Sequence, residues 1–476
     1  MILNNSPFKK NSNMILFIIS TSLFMWSLSA GMVNIALPTM SQFLDVSVST
    51  ISWVVLAHLL FLLSFLLIFG KIGDHLGYKN IFVVGLIIFS FSSYYSGLSL
   101  NIVSLIGYRI IQGIGSAMIL SVAPAIISTV FKAGKRGKAF GYISLATAGG
   151  LAFGNWFGGF LTEYFSWHYI FFIVFFMGLI LLFLSIVYLP EEEVKKSKFD
   201  FDYVGAVLII SSIMLFLLAI NFSNTVGWCS LAIFLLFLIA IVCSILFCLW
   251  ELRTTNPLVD ISILKNYYLT LSLTGAFLIN LVLSGTIFII PFFLQLVKGY
   301  SSGFAGFIIF APTALVVVAS PLAGHLSDLF GSNMVKISST ILLIASSILL
   351  MLLNPTIGIL VIVTALALRA LSQGIFTPVN TKTIMNQSID ESMGIVSSLM
   401  NLFRYLGLVM GVVIFQAIFQ GTIAANGISN MGAFQVSAPQ NVLLSGFYSS
   451  FFLATILSIL IFVLAVIEIR FDPDKF

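Results

Sequence analysis

The sequence predicts an all-α integral membrane protein of fourteen transmembrane helices, laid out as two pseudo-symmetric six-helix bundles with a two-helix insertion. Three observations lead there. Hydrophobic residues make up 60% of the 476-residue chain and charged residues only 8%, against roughly 25% in a soluble domain. Apolar stretches close to spanning length, about 20 residues, recur from end to end. A set of residues in the first half also returns in the second half at a constant offset.

The chain opens with a polar head, residues 1–13, carrying Lys9 and Lys10. The apolar run that follows, from Met14 to Met40, is too long for a signal-peptide core and has no small-residue cleavage site after it, so it reads as a retained first span. Spans are expected at 14–37, 49–70, 81–98, 102–130, 138–161, 168–189, 203–221, 228–250, 269–297, 303–325, 335–353, 357–381, 393–420 and 442–468. Their unequal lengths require tilt or extension past the hydrocarbon. Residues 1–190 then hold the first bundle and 261–476 the second. Residues 191–260 hold a charged linker, Glu191–Glu193 followed by Lys195, Lys196 and Lys198, and the inserted hairpin.

Charge gives the orientation. With the N-terminus in the cytoplasm, 17 of the 21 Lys and Arg fall in cytoplasmic segments, four of them (Lys132, Lys135, Arg136 and Lys138) in the 131–138 loop. Lys298 alone falls outside, and Arg109, Arg369 and Arg404 lie within spans. This is the positive-inside pattern. It places both termini in the cytoplasm of a cell bounded by this plasma membrane, and it accounts for the net charge of +5 without nucleic acid. Cys229, Cys243 and Cys248 form neither a CxxC pair nor a metal-ligand set with His. No metal and no cofactor are expected.

The repeat has an offset of 254: Gly70, Asp74 and Gly77 return as Gly324, Asp328 and Gly331, and Pro124 returns as Pro378. Spans 5 and 13 both carry small residues four apart, Gly154/Gly158 and Gly407/Gly411, which let helices approach closely. Spans 1–6 thus correspond to spans 9–14. Two related halves of this kind hold a solute site near the bilayer midplane.

Three segments carry a recognisable pattern. The 2–3 loop reads Gly70-Lys-Ile-Gly-Asp74-His-Leu-Gly77-Tyr-Lys79, where glycine permits a tight turn and Asp can cap a helix or pair with a cation. It resembles the G-x-L-A-D-x-x-G-x-K signature of the major facilitator superfamily, with His75 where Arg is common. Gly324-His-Leu-Ser-Asp328-Leu-Phe-Gly331 resembles the degenerate second copy. Span 4, with Arg109-Ile-Ile-Gln112-Gly113-Ile-Gly115, is similar to the R-x-x-Q-G-x-G motif that exporters of the superfamily tie to proton transfer. Span 5, Gly149-Gly-Leu-Ala-Phe-Gly154-Asn155-Trp-Phe-Gly158-Gly159, resembles the antiporter motif G-P-x-x-G-G with Asn155 in place of Pro. With Asn34 to Pro38 in span 1, Trp167, the hairpin and Arg404-Tyr-Leu-Gly407, the whole chain is similar to the fourteen-helix drug/proton antiporter family of that superfamily, of multidrug-efflux type. It has Ser29 where the family usually has Asp.

The resemblance implies a secondary active transporter that exports amphiphilic organic compounds by alternating access. It makes Gly70, Asp74, Gly77, Gly324, Asp328 and Gly331 gating residues. A buried Arg in a span is a functional candidate, and His58 is the deep group whose ordinary pKa suits proton exchange. Arg109, His58 and Glu163, the last at the outer end of span 5, are therefore the proton-coupling candidates. The substrate-cavity candidates are Asn34, Gln112, Asn155, Asn401, Arg404 and Tyr405, the last three on one helical face at i, i+3 and i+4. Further polar positions are Asn280, Arg369 and Gln373. The expected partners are a small-molecule substrate, protons and the lipid bilayer, and a monomer is expected. The 16 acidic residues all avoid mid-span positions. That favours a second reading, a proton-independent or organic-anion facilitator. A membrane-embedded enzyme would need catalytic His, Asp or Glu clustered on one face, and a receptor would need a signalling domain. The sequence offers neither.

Overall fold

The structure, a computed structural model, describes residues 12–131, 133–191, 202–227, 230–254, 261–386, 393–426 and 439–469. Side chains are described there except at 74, 133–138, 221, 224–225, 261–262, 393–395 and 397–398. Among the described residues there is no strand. The helices are α1 (Ser12–Phe43), α2 (Val48–Leu76), α3 (Tyr78–Gly97), α4 (Ile102–Val130), α5 (Ala133–Tyr164), α6 (His168–Tyr188), α7 (Tyr203–Val226) and α8 (Leu231–Glu251). They continue as α9 (Tyr267–Phe292), α10 (Ser302–Thr313), α11 (Leu315–Phe330), α12 (Ser332–Met351), α13 (Ile359–Asn386), α14 (Met393–Ala425) and α15 (Gln440–Glu468).

Thirteen spans, α10 and α11 counting together as one, are long and apolar enough to cross a membrane. The fourteenth, α5, has the length, but Gly149, Gly150, Gly154, Gly158, Gly159 and Asn155 dilute its apolar content. The span expected at 303–325 is present as Ser302–Phe330, its helix interrupted at Ala314, two residues after Pro312, which lacks an N–H and whose ring crowds the preceding turn. One expectation needs correction. The basic run expected as a loop at 131–138 is helical from Ala133 onward; Lys132 itself lies outside the described residues, as do Lys9, Lys10, Glu192–Lys198 and Cys229.

The surface reads as lipid-facing. Along α8, Leu231, Phe234, Leu235, Leu238, Ile239, Val242, Ile245 and Leu249 are all exposed, an apolar expanse that water would not tolerate. Serine and threonine hydroxyls within helices mostly bond back to the carbonyl three or four residues earlier, as at Ser22, Ser185 and Thr383. That satisfies them where no water is available.

The described chain forms two compact units: Met1–Ala36 with Trp53–Asp202, and Leu37–Ser52 with Tyr203–Phe476. In the first, α3 packs against α4 and α6; in the second, α12 packs against α13 and α15. The same arrangement therefore appears twice. The hairpin α7–α8 belongs to the second unit, where α7 lies on α14. Helix α9 of that unit is buried nearly throughout and is followed by a π turn, Phe293–Val297. Lys298 follows and donates to the carbonyls of Pro355 (2.7 Å) and Ile357 (2.5 Å), so it fastens the α12–α13 turn.

Candidate functional site

The two copies of the glycine turn have the same backbone. Gly77 and Gly331 sit at φ 89° and 81°, a region open to glycine, and each precedes the helix that follows, α3 and α12. Gly70 and Gly73 face α4 on α2, and a Cβ at Gly73 would press within 2.8 Å of Val122. Asp74 falls in the last turn of α2 with its side chain outside the described residues. In the second copy Gly324 faces open space, and Asp328 pairs with Lys382 of α13 at 2.5 Å on an exposed surface.

The first unit gathers several predicted residues into one buried cluster. Arg109 on α4 donates through Nε to the carbonyl of Val54 on α2 (2.7 Å) and through a terminal nitrogen to Gln112 Oε1. Ser116 Oγ donates to the carbonyl of Gln112 (2.9 Å) and lies 3.2 Å from His58 Nε2. With the hydroxyl proton committed to that carbonyl, His58 donates from Nε2, and its Nδ1 has no partner among the described residues. Gly113 makes this closeness possible: a Cβ there would overlap the carbonyl oxygen of His58. Gln112 Nε2 is buried without a partner.

Helices α1 and α5 meet through glycine. A Cβ at Gly154 would overlap Leu28 O, one at Gly158 would overlap Met32 Cα, and one at Gly31 would lie 2.6 Å from Leu151 O. Asn155 is fully buried in this contact. Its Nδ2 bonds back to Leu151 O at 2.9 Å, and its Oδ1 is left without a partner among the described residues. Asn34 likewise has a buried, unpartnered Oδ1. Glu163 lies apart from all of these, exposed in the last turn of α5.

The second unit repeats the packing and adds polar groups of its own. Gly407 and Gly411 of α14 lie so close to α9 that a Cβ would overlap the carbonyls of Phe277 and Leu281. One turn before Gly407, Arg404 lines a small, partly open cleft between α9, α13 and α14, together with Ile279, Asn280, Phe376, Asn380 and Met400. Asn401 and Tyr405 are half-buried on the same helix. Arg369 is buried but weakly held: a terminal nitrogen is 3.5 Å from Leu283 O, and its Nε has no partner among the described residues.

Sequence reading missed a buried ionic network beside this cleft. Lys336 on α12, counted among the cytoplasmic charges, is fully buried and donates to Glu468 Oε2 of α15 at 2.6 Å. The other oxygen of Glu468 accepts from Ser272 of α9. Asn380 of α13 receives a long bond from Lys336 (3.4 Å) and donates to Ser272 O (2.9 Å), so it joins the network to the cleft wall. Each charge sits at a helix end, where sequence alone reads it as solvated. The one available signal was that Lys336 falls inside a predicted span.

Among the described residues no group of His, Cys, Asp and Glu could hold a metal. The arrangement is that of two helix bundles carrying small buried polar clusters in apolar surroundings, with no catalytic constellation among the described residues.

Comparison with known proteins agrees. The family model for the Major Facilitator Superfamily matches residues 19–412. The riboflavin transporter RibZ of Clostridioides difficile (strain 630) is 28% identical over 88% of this chain and 90% of its own. The multidrug resistance protein Stp of Mycobacterium tuberculosis (strain CDC 1551 / Oshkosh) is 27% identical over 87% of this chain and 78% of its own. Among solved structures, a bacterial homolog of the human lysosomal transporter Spinster, in an inward-facing and occupied conformation, superposes with a TM-score of 0.66. It shares 16% identity over 98% of both chains, which supports the fold. The protein therefore belongs to the major facilitator superfamily: it is a multi-pass membrane transporter of small molecules, not an enzyme.

Proposed function

We propose that the chain exports amphiphilic organic compounds by alternating access, as a monomer in the plasma membrane with both termini cytoplasmic, and that proton movement drives it through the cluster on α2 and α4. The observation that carries this reading is the hydrogen-bonded series His58, Ser116, Gln112 and Arg109. It joins a titratable imidazole to a fixed cation inside an apolar bundle. A proton arriving on His58 adds a second positive charge near Arg109, and like charges in an apolar bundle repel. That repulsion between α2 and α4 would bias one conformation over another. The glycine turns ending at Gly77 and Gly331 serve as gates, with Asp74 the more important acid. Similarity to a multidrug resistance protein favours lipophilic drugs as cargo, and similarity to a riboflavin transporter puts riboflavin in the first screen.

Proteoliposomes with and without an imposed pH gradient test this. Saturable, gradient-stimulated movement of at least one such compound is expected, and His58→Gln should abolish the stimulation while leaving the protein folded. Transport indifferent to both the gradient and His58→Gln removes proton coupling through this cluster. A second reading, an organic-anion facilitator, is favoured by one specific observation: Arg404 borders its cleft without a carboxylate on it.

A further inference from the structure

We infer that the cleft between α9, α13 and α14 is an anion subsite, in which Arg404 receives the carboxylate, sulfonate or phosphate of an amphiphilic solute. The apolar body of that solute would lie on Ile279, Phe376 and Met400. This rests on the reading of the chain as an exporter of amphiphiles and narrows its substrate class.

Three observations support it. First, no hydrogen bond or ion pair joins Arg404 to any other described residue, although it is only partly exposed and borders a cavity. A guanidinium presents five donors in a fixed fork suited to carboxylate and phosphate oxygens. Second, no carboxylate lines the cleft among the described residues. The carboxylate of the neighbouring network, Glu468, is already engaged by Lys336 and Ser272, and that pair is neutral as a whole. The cleft therefore keeps a net positive charge in a poorly hydrated setting, where an unpaired ion is costly. Third, the remaining wall carries no other cation: it is apolar, amide or hydroxyl. Asn280 and Asn380 each commit one side-chain N–H, to the carbonyls of Ala276 (2.7 Å) and Ser272 (2.9 Å), and Thr381 donates to Thr377 O (2.8 Å), which leaves Arg404 as the charged donor of the lining.

The source of the anion is either a transported solute or a lipid headgroup, and the experiment separates them. Purified protein in nanodiscs is titrated with fluorescein, an anion at neutral pH, and with rhodamine methyl ester, a cation on the same xanthene frame, and fluorescence anisotropy is read. Arg404→Gln should weaken fluorescein binding roughly tenfold or more, with Arg404→Lys intermediate and the cation not weakened. Met400→Glu keeps Arg404 but places a carboxylate one helical turn from it, and should weaken fluorescein to the same extent. This guards against a misfolded Arg404 variant. The measurement is made in phosphatidylcholine alone and with phosphatidylglycerol added. Fluorescein affinity that ignores both substitutions overturns the proposal. So does displacement of fluorescein from the wild type by phosphatidylglycerol, which would make the occupant a lipid. Flux of both dyes into proteoliposomes separates the two readings. Arg404-dependent binding with neither dye moved removes the exporter reading and leaves the site. Movement of the cation with Arg404-independent fluorescein binding removes the site and leaves the exporter.

Discussion

Glu468→Gln should be among the most destabilising conservative substitutions in the second unit. The carboxylate is buried, 2.6 Å from a Lys336 ammonium that is fully enclosed, and holds Ser272 with its other oxygen. The amide keeps the volume but leaves the ammonium charged and uncompensated, which costs about 3–5 kcal/mol when one partner of a buried pair is removed. Lys336→Met should cost a similar amount by stranding the carboxylate. The double variant Lys336→Met with Glu468→Leu should recover most of the loss, because apolar replacements of a buried pair are often neutral. Equilibrium unfolding in mixed detergent micelles, run as a double-mutant cycle, gives the coupling directly, and a value of roughly 2 kcal/mol or more is expected. Single losses below about 1 kcal/mol, or strictly additive ones, would show that water or lipid headgroups reach the pair and would refute the reasoning.

The remaining expectations concern transport. Arg109→Ala should reduce turnover far more than Arg369→Ala at matched expression, and Arg109→Lys should not rescue it, since two separate nitrogens of Arg109 hold Val54 and Gln112 while Arg369 has one long bond. Gly113→Ala should separate α2 from α4 and lower stability by about 1–3 kcal/mol, the usual cost of overpacking, seen as a lowered unfolding temperature in detergent. Asp74→Asn should leave an inserted protein with severely reduced flux. Asp328→Asn should be mild, because its partner Lys382 is solvent-exposed and surface pairs contribute little. Flux assays on the two variants side by side check that order.

What the sequence made legible was whatever depends on local chemistry. Spanning length marked the helices, and a repeat at fixed offset predicted that Gly77 and Gly331 would be structurally equivalent, as their matching positive φ values are. The motif on α4 brought Arg109, Gln112 and Gly113 to attention. That His58 approaches them follows from Gly113 lacking a side chain, a contact across helices with no periodic signature. The break at Ala314 was hidden because one apolar run covers both halves, although Pro312 marks the place. The Lys336–Glu468 pair was illegible for a different reason. Its members are 132 residues apart, each at the end of a helix, and only the packing of α12 on α15 encloses them.

That separation has a consequence for how the protein is made. Chains grow at about 5–20 residues per second, so Lys336 enters the bilayer about 7–26 s before Glu468 is synthesised, from the 132 residues between them. During that interval the ammonium must stay near headgroups or within the insertion machinery, since a bare cation in hydrocarbon is expensive. The helix α12 is thus held at the interface until α15 arrives with the neutralising charge. The second bundle can therefore close around this pair only once α15 has been made.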